Sequence, residues 1–267
     1  MISFTKYSLL TFTLILALTS CVRERDNDTT MASELAMNEY VYHDASCLAD
    51  DAASKLTGQN LSNYKTRGYC ATLTHDTFNN HIIIDFGPQN CMCNDGRYRR
   101  GKVLVDYTLN YSDSGSVHTL TFDEYYVDNH LVMGSNIVEN KGHNVLAHTW
   151  FKSTVDGKVL KPGFDDTLYY KSNHTIVWVS GEDTPVWGDD IYEITGTGTG
   201  KNEFKTNYAM TITKPLVKEV VQCRYFNEGI IEMQPQGKAL RTLDFGNGTC
   251  DNDAVVTINN KTFHIGL

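Results

Sequence analysis

Val103-Leu104-Val105-Asp106-Tyr107-Thr108-Leu109-Asn110-Tyr111, followed by Ser112-Asp113-Ser114-Gly115 and then His118-Thr119-Leu120-Thr121-Phe122-Asp123-Glu124-Tyr125-Tyr126, decides the fold. Val103, Val105, Tyr107, Leu109 and Tyr111 alternate with Leu104, Asp106, Thr108 and Asn110, a period of two that sends neighbours to opposite faces of a strand. The second run places His118, Leu120, Phe122, Glu124 and Tyr126 on one face, and the Ser-Asp-Ser-Gly between the runs has the composition of a turn. Similar breaks fall at Asp128-Asn129, Asp156-Gly157, Gly181-Glu182-Asp183, Gly229, Gly237 and Asn259-Asn260. Strand-length runs with short polar turns pair antiparallel with their neighbours. No alternation of strand and helix calls for a parallel sheet or a nucleotide fold. The reading is all-β: an antiparallel meander forming a sandwich or a strongly curved sheet.

Upstream the period changes. From Ser33 to Leu56, Met37, Val41, Ala45, Leu48 and Ala52 recur at spacings of three and four without Gly or Pro, which predicts one N-terminal helix over residues 33–56 packed on the sheet. Ser33 is the expected N-cap, and Gly58 suits the left-handed position after the last turn. Residues 21–32 are polar and charged without an apolar period and read as a flexible tether. Residues 33–267 then form a single β-rich domain.

The first residues carry an address. Lys6 precedes the apolar run Leu9-Leu10-Thr11-Phe12-Thr13-Leu14-Ile15-Leu16-Ala17-Leu18, which falls short of the roughly 20 residues that span a bilayer. Leu18-Thr19-Ser20-Cys21 resembles a bacterial lipobox. The resemblance implies a signal peptide over residues 1–20, cleavage before Cys21, and acylation of Cys21, whose several acyl chains attach the protein to a membrane. Val22 in place of Asp argues against inner-membrane retention. Glu24, Asp26 and Asp28 weakly resemble the acidic export signal of Bacteroidetes surface lipoproteins, interrupted by Arg23 and Arg25. The outer membrane is the expected location, with its cell-surface and periplasmic faces both open. A formal net charge of −9 repels duplexes and anionic surfaces, so no nucleic-acid partner is expected.

Six cysteines follow Cys21: Cys47, Cys70, Cys91, Cys93, Cys223 and Cys250. An even set in an exported chain reads as disulfides. Zinc is disfavoured, because only Cys91-Met92-Cys93 is closely spaced and its gap is one residue. An internal repeat narrows the pairing. Tyr69-Cys70-Ala71-Thr72-Leu73-Thr74 with His81 to Cys91, and Gln222-Cys223-Arg224-Tyr225-Phe226 with Leu240 to Cys250, each put a cysteine at the start of one strand. In each, a second strand ends in Asp-Phe-Gly, with another cysteine four residues on. Such hairpins predict Cys223–Cys250, Cys70 paired to Cys91 or Cys93, and Cys47 taking the remaining partner to tie helix to sheet. The triplets Asp85-Phe86-Gly87 and Asp244-Phe245-Gly246 are spelled like a kinase motif but lack a kinase context. Aspartate and glycine shape a turn there, and phenylalanine packs.

Cys70 to Thr77, Ile84 to Gly87, Cys93 to Lys102 and Arg241 to Asp251 together resemble a group of Bacteroidetes outer-membrane lipoproteins. They share the layout of lipobox, helix and long β-region over nearly the whole mature chain. The resemblance implies an envelope location and assigns no catalytic residue.

No metalloprotease helix, nucleophile elbow, phosphate loop or dinucleotide fingerprint occurs. His43-Asp44 and His75-Asp76 read as turn or edge residues. Asp123-Glu124, Asp165-Asp166 and Asp189-Asp190 would serve a glycosidase only if two carboxyls flanked one bond. Asn247 to Asp253 offers oxygens that suit calcium but lacks the spacing of an EF-hand, so no cofactor is called for. Trp150, Trp178, Trp187, Phe151, Tyr169, Tyr170 and Tyr192 read as core, or as sugar-stacking rings if they face outward. Arg97, Arg99, Arg100 and Lys102 read as a solvated strand edge, or as a contact for an acidic glycan. The leading expectation is a non-enzymatic, lipid-anchored envelope lipoprotein that binds a glycan or an envelope protein. A lipid or lipoprotein carrier and a glycan-processing enzyme are the alternatives.

Overall fold

The computed structural model describes residues 26–55, 71–163, 167–184, 189–220 and 223–267. Helix α1 (Thr30–Lys55) is followed by fourteen strands: β1 (Thr72–Asp76), β2 (His81–Asp85), β3 (Cys91–Met92), β4 (Tyr98–Tyr107), β5 (Val117–Val127), β6 (His130–His143) and β7 (Thr149–Leu160), then β8 (Thr167–Ser180), β9 (Ile191–Lys201), β10 (Asn207–Glu219), β11 (Glu228–Pro235), β12 (Arg241–Asn247), β13 (Asp253–Ile258) and β14 (Lys261–Gly266). They form one antiparallel meander in chain order, except that the two-residue β3 pairs only with β4. β1 and β14 do not pair with each other, so the sheet is not a closed barrel.

The predicted all-β meander with one N-terminal helix is therefore the fold, but the helix sits deeper than a stripe of five apolar residues implies. Between Met31 and Ala52 only Ser33, Met37, His43 and Asp50 are partly exposed; every other residue is buried. The curved sheet embraces the helix, so its polar residues need partners on the strands. They have them. Lys161 on the β7–β8 connection bridges Glu34 (3.1 Å) and Glu203 (2.8 Å). The Tyr170 hydroxyl donates to Glu39, whose carboxyl is pushed up by burial, and His174 lies 3.6 Å from the same group. Ser46 accepts from Asn136 (2.7 Å), and Asn136 accepts from Ser153 (2.8 Å). Tyr42 reaches through the wall to donate to the carbonyls of Met133 and Lys158.

Tyr42 also explains a misread break. Asp156-Gly157 is not a turn but the middle of β7. Gly157 is needed because a Cβ there would lie 2.0 Å from the Tyr42 hydroxyl oxygen. Gly229 likewise falls within β11, at a register shift. Asp128-Asn129 and Asn259-Asn260, by contrast, are the expected tight turns, all four with φ between 48° and 65°. Alternation in β5 holds through Phe122, which packs against the core, and then flips. A bulge around Glu124, whose φ is 46°, sends Tyr125 and Val127 into the core in place of Glu124 and Tyr126.

The helix begins before its expected cap. Asp28 accepts the Thr30 amide at 3.0 Å and Ser33 lies inside the first turn, its amide bonded to the Thr29 carbonyl. The residues just before it are not a free tether. Arg241, buried on β12, holds Asp26 at 2.7 Å, and Lys238 holds Asp28 at 3.0 Å. Residues 1–25, with Cys21 and the expected signal peptide, lie outside the described residues, as does Gly58. Among those described, no helix is long and apolar enough to cross a membrane.

Candidate functional site

Where the early strands meet the last ones across the helix, a cavity of about 280 Å³ opens. A local turn sets its first wall. The Cys93 amide donates to the Arg97 carbonyl (2.8 Å) and the Arg97 amide to Asp95 (3.1 Å), which delivers Arg97 to the start of β4. The β5–β6 turn brings Asp128 opposite. Its carboxylate accepts from the Tyr98 amide (2.9 Å) and from Nη1 of Arg97 (2.6 Å). The guanidinium carbon stands 3.9 Å from the centroid of the Tyr40 ring on the helix and 5.7 Å from that of Tyr225.

The far wall belongs to the segment after β10. Cys223 is bonded to Cys250, with Cα atoms 5.5 Å apart, as the repeat predicts. Lys218 donates to the carbonyls of Cys223 and Tyr225. So braced, the segment sets Tyr225 at the mouth and Phe226 deeper, edge-on to Phe245 at 5.6 Å. Met37, Val41, Val127 and Leu267 complete an apolar interior. Burial works against the Arg97 charge, but Tyr40 and Asp128 more than offset it and hold its pKa above the ordinary guanidinium value. Burial pushes the Tyr40 hydroxyl up and holds His130 below the usual imidazole range, so both are neutral at pH 7. The cavity thus offers an apolar depth, two tyrosine rings and a mated cation and anion at its rim.

Arg97 and its neighbours are not a solvated edge. β4 lies between β2 and β5, and Arg99 is fully buried, bonded to Asp44 (2.7 Å) and Asp95 (2.6 Å). Arg100 stacks on Tyr126 at 3.5 Å, and only Lys102, 3.4 Å from Asp123, resembles a surface pair. The sequence hides this because a buried Arg is spelled like an exposed one; its partner Asp44 lies 55 residues away. His43 and Asp44 are mid-helix rather than in a turn, whereas His75-Asp76 ends β1.

The cysteines divide. Cys91 is disulfide-bonded, and Cys70, its expected partner, lies outside the described residues. Cys47 is not in a disulfide: its buried thiol lies 3.5 Å from Nε2 of His43, one turn earlier, and polar pairs rather than a crosslink bind helix to sheet. Cys93 also keeps its thiol, buried and directed at the Cys91 carbonyl, with burial pushing its pKa up.

Among the described residues the paired carboxylates each face separate partners. Asp123 faces Lys102, Asp190 accepts from Trp178 (3.2 Å), Asp189 accepts from Thr184 (3.0 Å), and Asp165-Asp166 lies outside the described residues. In the Asn247 to Asp253 segment, Asp253 pairs with His264 (2.7 Å). Among the described residues no three His, Cys, Asp or Glu side chains are grouped to hold a metal. Phe151, Tyr170 and Tyr192 are core, Tyr169 is exposed, and Trp187 lies outside the described residues. The rings that shape the cavity, Tyr40 and Tyr225, were not singled out by the sequence. Only the density of aromatic and basic residues around Arg97 and Arg224-Tyr225-Phe226 hinted at them.

Compared with protein-family models, with curated proteins and with solved structures, the chain shows no match.

Proposed function

We propose that the chain is a lipid-anchored lipoprotein of the bacterial outer membrane, non-enzymatic, that binds the end of a glycan in the Arg97 cavity. The lipobox ending at Cys21 and the Cys223–Cys250 bond support an oxidising envelope compartment. One observation carries the binding reading: the Arg97 guanidinium lies over the Tyr40 ring, mated to Asp128, in the lining of an aromatic-walled cavity. Tyrosine faces pack on the apolar face of a sugar ring, while a guanidinium and a carboxylate side by side donate to and accept from neighbouring hydroxyls. A carrier would need space for acyl chains, and α1 fills the concave face of the sheet where they would lie.

Titration of the purified chain with methyl glycosides of glucose, galactose and N-acetylglucosamine, followed by tyrosine fluorescence, tests this. Saturable quenching lost in Arg97→Met is the expected result. Quenching by decanoate with no response to any glycoside would transfer the site to an acyl ligand and overturn the glycan reading.

A further inference from the structure

A second cavity, of about 90 Å³, lies where the last turns of α1 meet β1, β2, β4 and β5. Its walls are the rings of His75, Tyr107, Tyr111 and His118, with Asn110 and Ala53 beside them. His118 is the unusual member. It is 2 % exposed, and neither ring nitrogen makes a hydrogen bond; the Leu109 carbonyl lies beside the ring without meeting hydrogen-bond geometry. Folded proteins seldom bury a polar group in that condition without something that answers it. Burial keeps the imidazole neutral, so one nitrogen is an acceptor.

The surrounding groups are acceptors as well. The Tyr107 hydroxyl is engaged by Nε2 of His75 at 2.7 Å. Tyr111 spends its proton on Asp50 at 2.8 Å, which leaves its oxygen lone pairs. The Asn110 amide nitrogen donates to Asp113 at 3.1 Å, which leaves Oδ1. Among the described residues no Lys or Arg lines the cavity, the Asp50 carboxylate is bonded to Tyr111, and the C-terminal end of α1 adds a negative partial charge. Aromatic faces reinforce the preference for a cation.

We propose that this cavity binds a small primary ammonium group, which donates N–H bonds to His118 and Asn110 against the faces of Tyr107 and Tyr111. The volume is about that of three waters, which suits an amine of two to four non-hydrogen atoms, methylammonium or ethanolamine in size.

Long-range ¹H–¹⁵N spectra of the full chain, disulfides intact, read the His118 ring directly. Methylammonium chloride shifts the acceptor nitrogen saturably, with a midpoint in about the millimolar range expected for so small a ligand. Sodium chloride and tetramethylammonium chloride, which donate no N–H bond, leave it unmoved. His118→Phe removes the saturable response in the neighbouring tyrosine signals. Asn110→Ala, at an exposed position that folding tolerates, raises the midpoint roughly tenfold. A shift that never saturates, one that sodium reproduces, or one that tetramethylammonium produces equally would overturn the proposal.

Discussion

The two Asp-Phe-Gly segments are built alike and end differently. Asp85 accepts the Gly87 amide at 2.8 Å, and Asp244 accepts the Gly246 amide at 2.9 Å. Both glycines have positive φ, 78° and 98°, and both phenylalanines are buried. Beyond the triplet the surroundings part. Phe86 and Gly87 bond to the backbone of Gly101, and Phe86 lies 5.9 Å from Tyr125 inside a packed wall. Phe245 meets Phe226 on the segment that Cys223–Cys250 braces, and it lines the cavity. A local motif thus fixes a turn and turns its phenylalanine inward; the neighbouring strands decide whether that ring seals a wall or faces an opening.

Replacing each ring should split the pair most widely. Phe86→Ala should cost about 3–5 kcal/mol in urea unfolding, the usual toll for an aromatic lost from a packed core. Phe245→Ala, already beside open space, should cost about 2 kcal/mol and weaken glycoside binding. Equal costs with unchanged binding would break the distinction. Next in size, Cys223→Ser with Cys250→Ser should remove about 3–4 kcal/mol, given the sequence separation of 27. Thermal unfolding with peptide mapping should show that loss while the Cys91 disulfide persists. The smallest effect sharpens the likeness instead. Asp85→Ala and Asp244→Ala should each cost about 1 kcal/mol, the worth of one side-chain-to-amide bond. A difference as large as the effect itself would mean the two turns are not one device.

Much of this was legible before any coordinates. Alternation in β4, the Asn-rich turns and the twin triplets are local signals, and local signals survive in sequence. What failed was long-range. Glu34, Glu39 and Asp51 carry no local mark of burial and Asp44 reads as a turn or edge residue, yet all four are buried. Their burial is affordable only because strands far along the chain present matching groups. Arg99 was misplaced for the same reason. The cavity was invisible because its lining is collected from α1, the turn before β4, β5, β6, the segment after β10, β12 and β14, no two of which carry a shared motif.

The helix at the centre of the sheet also sets a timetable. It is synthesised before any of the strands that enclose it, and most of a helix's stability in a protein comes from the packing that those strands supply. Its bond from Glu39 to Tyr170 spans 131 residues, and the clasp of Asp28 by Lys238 spans 210. The meander itself pairs strands adjacent in sequence, so these few long-range bonds are the ones that wait longest for their partners. Until the turn between β11 and β12 arrives the clasp on Asp28 cannot close, so the start of the helix is secured only when the chain is nearly complete.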